Sequence, residues 1–175
     1  TLTVTLRSPD KDGSGLLTAA LCEGVCEDPV NPQLTHAIAD GDGWSVSGSK
    51  TCVPFAKIAH RILLAAATDE GPVVLLLDPA SKGVTLTDVR YTTYEPQYRV
   101  ELDAVQVPIE DVLAGPGEGA MVMKWLSERT ASALCLHQLG IADVATRMTA
   151  SYTAERNQFG VPVATFQAVG HRAAN

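Results

Sequence analysis

Short runs in which apolar residues alternate with polar ones, or are wholly apolar, fill the first two thirds of the chain. Most are bounded by glycine, proline or aspartate, a rhythm that favours the antiparallel strands of a barrel or sandwich. The predicted strands are 16–22, 35–38, 44–53, 62–68, 73–78, 84–89 and 98–107. Residues 1–15 are predicted to be a leader or loop because they are rich in polar residues and glycine.

A turn signal separates the second and third of these runs. Asp40-Gly41-Asp42-Gly43 supplies residues that accept the positive φ angles of a tight hairpin. A calcium loop is the alternative for these residues, but the later carboxylate ligands of such a loop are missing. The hairpin is therefore the favoured interpretation.

The apolar period changes to three and four residues after the loop 114–119. The residues that carry it are Val122, Trp125, Leu126, Leu134, Leu136, Leu139, Ile141, Val144, Ala145, Met148 and Tyr152. This spacing predicts one long helix, or two nearly collinear ones, over about residues 120–157. A continuous helix of that length would measure about 57 Å. It needs more neighbours than the chain supplies, so we expect it to pack against further helices or another subunit.

The net charge and the cysteine content limit the possible binding partners and the possible cellular compartment. A net charge of −7 and a pI near 5.0 argue against nucleic acid or an anionic membrane surface. No apolar run is long enough to span a bilayer, and no secretory leader is visible. The cysteines at positions 22, 26, 52 and 135 lack zinc or disulfide spacing. We therefore expect a cytoplasmic protein with reduced thiols, no metal site, and neither membrane nor nucleic-acid partners.

A distinctive stretch closes the long apolar pattern. Tyr152, Arg156 and Phe159 are spaced by four and three residues, which predicts that they share one helix face. Gly160 and Pro162 are predicted to end that helix, since glycine favours a left-handed cap and proline breaks the hydrogen-bond ladder.

A second helix is predicted after this break, capped by the Thr165 hydroxyl and beginning at Phe166. The stretch would then hold Arg156 and the Gln158 amide beside the Phe159 ring at a helix end. A guanidinium fork in such a place suits a pair of phosphate oxygens. An ordinary amphipathic helix followed by a loop is the alternative.

The run from Arg156 to Pro162, followed by Phe166-Gln167-Ala168, resembles a segment that acyl-CoA dehydrogenases carry late in their first long C-terminal helix. Further motifs resemble the same family. They are Cys22-Glu23 for a strand ending in Thr-Glu, Gly48-Ser49-Lys50 for a Gly-x-Lys strand, His60-Arg61 for the strand after it, and Val107-Pro108 through Leu113 for the exit from the barrel. The resemblance covers about residues 17–173.

The resemblance implies an α+β fold, in which an antiparallel β-barrel (16–114) precedes long α-helices from an incomplete helical bundle (115–175). It also implies an FAD cofactor, an acyl-CoA substrate, and a homo- or hetero-oligomer that shares FAD across a subunit interface. By position, Arg156, Gln158 and Phe159 would reach the FAD of a neighbouring subunit, chiefly its pyrophosphate. Cys22 and Val53 would lie at the flavin-facing positions of the chain's own barrel.

Enzymes of this family remove a proton next to the thioester carbonyl and pass the β-hydride to flavin N5. A carboxylate base is required for that step. Glu128 falls where some members carry their base on the long helix. Alternatively, Glu128 and Arg129 form a charged pair on a solvated helix face.

Three departures from the family pattern concern the flavin-facing positions. Cys52-Val53-Pro54 stands where many members have Trp-Ile-Thr or Trp-Ile-Ser, so both the indole and the hydroxyl are replaced. Cys22 stands where the family has threonine, and Cys26-Glu27-Asp28 where it has Gly-Ser-Asp. Because a thiol is a weak donor and proline has no N–H, the chain keeps the Arg156 contacts better than its own flavin face.

Three functions remain open. The first is a flavoenzyme subunit that oxidises an acyl-CoA. The second is a non-catalytic or FAD-sharing partner in a mixed oligomer, like the paired acyl-CoA dehydrogenases of actinobacterial steroid catabolism. The third is a flavin monooxygenase or nitroalkane oxidase on the same fold, which oxygen uptake with reduced flavin would reveal. The family's N-terminal helical domain and last bundle helices have no counterpart here, and the uncovered long helix favours a fragment of a longer protein over a cut-down relative.

Overall fold

The computed structural model describes residues 15–24, 28–92 and 94–174 of the chain. The chain divides into two units, the first ending at Ser127 and the second beginning at Glu128. The division falls inside one long helix, which belongs to both units. All of the predicted leader except Gly15 lies outside the described residues, as do Cys26 and Glu27.

A single sheet of eight strands forms the first unit. The strands are β1 (Leu17–Ala20), β2 (His36–Asp40), β3 (Gly43–Pro54), β4 (Arg61–Thr68), β5 (Gly71–Leu77), β6 (Val84–Val89), β7 (Gln97–Val107) and β8 (Val112–Ala114). Short 3-10 turns at Ala56–Ile58 and Ile109–Asp111 lie between strands. Each predicted strand has a counterpart, and the predicted hairpin is confirmed, because Asp40 pairs with Gly43 and Gly41 has φ 59°.

The structure confirms the α+β class but corrects the predicted antiparallel barrel. The sheet order is β6-β7-β3-β2-β4-β5-β8, with β1 also paired to β4, so the path is open among the described residues. β1 and β2 both run parallel to β4, which makes the sheet mixed. The prediction erred because alternating apolar residues specify which face of a strand is buried, and not the direction of its neighbour.

Both faces of β4 are buried, each in a different hydrophobic cluster. Ile62 and Leu64 point into a cluster formed with the other strands. Leu63 points to the opposite face, where Val122 and Met123 from the start of the long helix cover it. The wholly apolar β4 is thus a central strand with packing on two sides.

The long helix α1 (Pro116–Glu155) is one continuous element of 40 residues, about 60 Å long. It confirms the predicted long helix and settles that it is a single one. Pro116 occupies its first position, where a missing N–H costs nothing. A Cβ at Gly119 would collide with the carbonyl oxygen of Pro72, so glycine permits the close approach of α1 to β5.

The second unit continues α1 into a small hairpin and a short helix. These are β9 (Asn157–Gln158), β10 (Val161–Pro162), a 3-10 turn (Val163–Thr165) and α2 (Gln167–Ala174). None of residues 128–174 is buried.

Two predictions for this segment are wrong. Phe159 does not continue the helix face of Tyr152, because it has φ 53° and Gly160 has φ 81°, the pattern of a two-residue hairpin turn. Thr165 does not cap α2, since its hydroxyl donates to the Pro162 carbonyl at 2.7 Å and the helix begins at Gln167. The hairpin turn competes with the helix cap for the same glycine, and the sequence signal is common to both.

Candidate functional site

The first unit contains a buried carboxylate that is fully engaged by donors. The Glu23 side chain is 3% exposed, and the Lys50 Nζ lies 2.6 Å from its Oε1. Backbone N–H groups of Gln33 and Leu34 donate to Oε2 at 2.6 Å and 2.7 Å, and that of Thr35 donates to Oε1 at 3.2 Å. One carboxylate therefore holds together β3 and the segment that leads into β2.

This arrangement determines the charge state of Glu23. Burial alone would raise the pKa of the carboxyl group, but the Lys50 ammonium, the N–H groups of Leu34 and Gln33 and the Thr35 side chain lower it, from 4.5 to about 2. Glu23 is therefore ionised at neutral pH. The pair is a closed structural contact and leaves no free carboxylate for proton transfer.

Gly48 permits this close packing. It has φ 142°, and a Cβ there would collide with the Leu34 carbonyl oxygen and with Thr35 Cα. Only glycine lets the backbone at Leu34 and Thr35 approach β3 closely enough for its N–H groups to reach Glu23. The Gly-x-Lys pattern thus has a physical cause, in which glycine admits the loop and Lys50 supplies the charge.

Next to the buried pair lies a group of polar side chains at the surface. Cys22, which precedes Glu23, accepts the Thr51 N–H at 2.9 Å through its carbonyl. A bulge separates Lys50 from Val53 in the pairing of β3 with β7, and Cys52 within it has φ 55°. The Cys52 Sγ lies 2.6 Å from the Tyr91 hydroxyl, and we name Cys22, Thr51, Cys52 and Tyr91 the thiol–phenol cluster.

The cluster keeps the Tyr91 phenol protonated. The hydrogen bond with Cys52 raises the pKa of Tyr91, burial adds to the rise, and a hydrogen bond with Thr51 opposes it. The phenol ring retains exposed surface, 39% for the residue as a whole.

The two predicted flavin-facing residues of the first unit lie on either side of the bulge. Cys22 is partly exposed and belongs to the thiol–phenol cluster. Val53 has no exposed surface and belongs to the core, opposite Tyr98 in the sheet. A ligand at position 53 would therefore meet backbone and not the side chain.

In the second unit, the hairpin presents Arg156, Gln158 and Phe159 outward. Arg156 donates its N–H to Tyr152 and accepts from Val163 through its carbonyl, so its backbone is fixed while its guanidinium is exposed. Phe159 is 93% exposed, and its ring meets that of Phe166 edge to face at 6.3 Å. The structure thus brings the three predicted FAD contacts together on one short hairpin.

Glu128 lies at the far end of the second unit from this hairpin. It is exposed, and its carbonyl accepts the Ser132 hydroxyl at 2.8 Å. The helical rise places it about 40 Å from Arg156 along α1. One bound ligand of ordinary size in a single chain therefore cannot contact both residues.

Two features of these sites had no counterpart in the sequence predictions. Glu23 and Lys50 each stood in a recognised motif, but nothing in a separation of 27 residues identified them as partners. Tyr91 carried no signal, because it lies in the loop between β6 and β7.

Among the described residues no cluster of three or more His, Cys, Asp or Glu side chains suits a metal ion. In the same part of the chain, neither helix combines the length and apolar character needed to cross a bilayer.

Sequence similarity to known proteins shows the family to which the chain belongs. Acyl-CoA dehydrogenase FadE27 of Mycobacterium tuberculosis is 32% identical over 163 residues, which are 93% of this chain and 41% of that protein. The glutaryl-CoA dehydrogenase of Desulfococcus multivorans is 29% identical over 135 residues, 73% of this chain and 35% of that protein. The chain belongs to the acyl-CoA dehydrogenase family. No protein-family model matches it.

Solved structures agree in fold. The Tcur3481-Tcur3483 steroid ACAD G363A variant has a TM-score of 0.82 and 37% identity, over 93% of this chain and 43% of that one. The ChsE4-ChsE5 complex from Mycobacterium tuberculosis has a TM-score of 0.79 and 30% identity, over 93% of this chain and 42% of that one. Acyl-CoA dehydrogenases are FAD-dependent, and the glutaryl-CoA dehydrogenase of Mycobacterium smegmatis was solved with FADH2. The chain spans less than half the length of the curated relatives it matches.

Proposed function

We propose that the chain is part of an acyl-CoA dehydrogenase-type flavoprotein subunit that takes part in the α,β-dehydrogenation of an acyl-CoA thioester. Its Arg156 hairpin contacts the FAD of a neighbouring subunit. The observation that carries this proposal is the hairpin itself, which fixes the backbone of Arg156 and leaves the guanidinium, the Gln158 amide and the Phe159 ring exposed together.

The donor set of the hairpin fits a dinucleotide pyrophosphate. A guanidinium forms paired hydrogen bonds with phosphate oxygens, and an amide adds a neutral donor. Among the described residues, the Arg156 and Gln158 side chains have no hydrogen bond or ion pair that a ligand would have to displace. The separation of about 40 Å between Arg156 and Glu128 supports two different sites, a cofactor contact at Arg156 and a substrate contact at Glu128.

Glu128 is the proposed base, and it would take the proton from the carbon next to the thioester carbonyl. FAD supplies the hydride acceptor when bound. As the proton leaves, negative charge develops on the thioester oxygen and needs hydrogen-bond donors. A solvated carboxylate such as that of Glu128 would act in this way only after neighbouring elements enclose it.

The substrate class and the assembly follow from the relatives. The steroid ACAD variant at 37% identity supports a ring-containing acyl group as the first candidate to test. That variant and the ChsE4-ChsE5 complex are named as pairs of different chains, which supports a hetero-oligomer. Replacement of the Trp-Ile-Thr pattern by Cys52-Val53-Pro54 supports the same assembly, with a sister chain supplying much of the flavin face.

Replacing Arg156 tests the hairpin contact. We expect Arg156→Ala in the full-length assembly to weaken FAD binding about 10- to 100-fold, since hydrogen bonds to a charged group contribute about 1.5–3 kcal/mol. Flavin fluorescence titration of the purified assembly measures this, with Arg147→Ala, on the exposed face of α1, as the matched control. Equal affinity in the two variants would contradict the contact.

A second function is a subunit that binds and stabilises an active sister chain without performing chemistry. The departures at Cys52 and Pro54 favour it. Glu128→Gln separates the two functions, because only a base at this position loses turnover while FAD remains bound. A drop in turnover of less than about twofold would assign the chemistry to another chain, whereas general base catalysis contributes about 10²–10⁴-fold.

A further inference from the structure

The thiol–phenol cluster is an exposed polar feature of the first unit that none of the expected roles explains. Its hydroxyl and thiol are joined at 2.6 Å between Tyr91 and Cys52, which are 39 residues apart in the chain. This hydrogen bond ties the loop before β7 to the bulge in β3. The Tyr91 residue as a whole is 39% exposed.

The backbone beneath the cluster is held in an uncommon conformation. Cys52 has φ 55°, which a residue with a Cβ rarely adopts, and it lies in a bulge that redirects its side chain. The residues on both sides are fixed, because Lys50 pairs with Glu23 inside the protein and Val53 is buried in the core. Conformations of this kind persist where surrounding structure imposes them, and they concentrate at ligand sites.

The ring stands next to the two positions at which the chain lacks expected groups. Position 52 offers a thiol in place of an aromatic ring, and position 22 offers a thiol in place of a hydroxyl. The Tyr91 hydroxyl bonds to the Cys52 thiol and also interacts with Thr51 and Cys22. Tyr91 therefore brings an aromatic residue next to the position at which β3 lacks one.

We propose that Tyr91 is an aromatic contact for a flavin ring at the surface of the first unit, held in position by Cys52. This assignment rests on the proposed function, since it requires that the assembly bind FAD. It adds a residue from the loop between β6 and β7 to a surface otherwise formed by β3 and the segment after β1. Stacking of a planar ligand on a tyrosine ring is the interaction involved.

Substitution of Tyr91 in the full-length FAD-loaded assembly tests the assignment. We expect Tyr91→Leu to weaken FAD binding about tenfold, and to increase the fluorescence of the bound flavin, because the ring that quenches it is gone. Tyr91→Phe keeps the ring but loses the hydroxyl that bonds to Cys52, so its affinity and flavin spectrum should lie between those of the unchanged protein and of Tyr91→Leu. Tyr94→Leu is the matched control, since Tyr94 lies in the same loop and is 94% exposed.

Variants of Cys52 test the positioning role. Cys52→Ser preserves a hydrogen-bond partner for the phenol and should leave the flavin spectrum near that of the unchanged protein. Cys52→Ala removes the partner and should shift the spectrum towards that of Tyr91→Leu. Equal melting temperatures across the set show that the effect is not a loss of folding.

The outcomes separate this assignment from the proposed function. If FAD binds and Tyr91→Leu matches Tyr94→Leu in affinity and fluorescence, the Tyr91 contact is wrong while the function stands. If the assembly with unchanged Tyr91 binds no FAD, both fail. A Tyr91→Leu variant that melts early is replaced by Tyr91→Phe and Cys52→Ala, whose unchanged flavin spectra would equally overturn the contact.

Discussion

The two units of this chain satisfy their apolar residues in opposite ways. The sheet unit buries both faces of β4 and encloses the Glu23–Lys50 pair, so its stability comes from its own sequence. The described part of the second unit, residues 128–174, has no buried residue. The sheet unit thus has a hydrophobic core of its own, whereas the described part of the helical unit has none.

The exposed apolar residues of α1 show how much covering it needs. They include Leu136 and Leu139 on one side and Ile141, Val144 and Met148 on another. A helix that is apolar on more than one side is normally surrounded by other helices. Charged side chains are sparse between them, since Asp143 and Arg147 are the charged residues that lie between Leu136 and Met148.

The largest effect we expect concerns the buried pair of the sheet unit. Lys50→Met removes the cation and leaves Glu23 charged and buried, which should lower the free energy of unfolding by about 3–5 kcal/mol. Urea denaturation of the chain, followed by the fluorescence of Trp44 and Trp125, both in the first unit, measures the change.

The control for this prediction is the double variant Glu23→Gln with Lys50→Met. It leaves no buried charge, so it should recover a large part of the lost stability. The idea that the pair is an enclosed ionic contact fails if the double variant is no more stable than Lys50→Met alone.

Lowering the pH should weaken the same Glu23–Lys50 ion pair, with a slightly smaller loss of folding stability than Lys50→Met causes. The folded pKa of Glu23 is about 2 against 4.5 for an ordinary glutamate, so the unfolded state binds more protons between these values. The stabilisation is therefore complete above about pH 4.5 and is lost as the pH falls towards 2, up to about 3 kcal/mol in all. Comparing unfolding at pH 6 and pH 3 for the unchanged chain and Glu23→Gln isolates it, and parallel profiles would refute it.

The contrast between the units also explains which parts of the fold could be predicted. The strands and the length of α1 follow from local periodicity, which burial imposes residue by residue. The parallel pairing of β1 and β2 with β4 does not, since it depends on how loops return the chain to the sheet. Phe159 shows the same limit, because Gly160 suits both a helix cap and a hairpin turn.

The candidate sites divide in the same manner. Arg156, Gln158 and Phe159 are neighbours in sequence, so a short motif was enough to bring them together. Glu23–Lys50 and Cys52–Tyr91 join residues 27 and 39 positions apart, and only the folded sheet makes them partners. Side chains that meet through tertiary structure leave no local pattern to read.

Two glycines of α1, one in each unit, allow a test of the difference between the units, with stability changes of intermediate size. A Cβ at Gly119 would collide with the Pro72 carbonyl, whereas one at Gly140 would meet nothing within 4 Å. Gly119→Ala should destabilise the sheet unit by about 1–3 kcal/mol through overpacking. Gly140→Ala should raise the helicity of α1 and stabilise it by about 0.5–1 kcal/mol. Circular dichroism during thermal unfolding distinguishes the two variants. If both raised or both lowered the stability, the proposed difference between the two units would be wrong.

The smallest effect should come from the ion pair of the helical unit. Arg147 donates to Asp143 one turn away at 2.9 Å, and both side chains are more than half exposed. Water and salt screen such a contact, so Arg147→Ala should change the free energy of unfolding by no more than about 0.5 kcal/mol, and less in high salt. Urea denaturation at low and high salt measures this against Lys50→Met. A loss comparable with that of Lys50→Met would show that α1 is enclosed in the isolated chain, and that the two units do not differ as described.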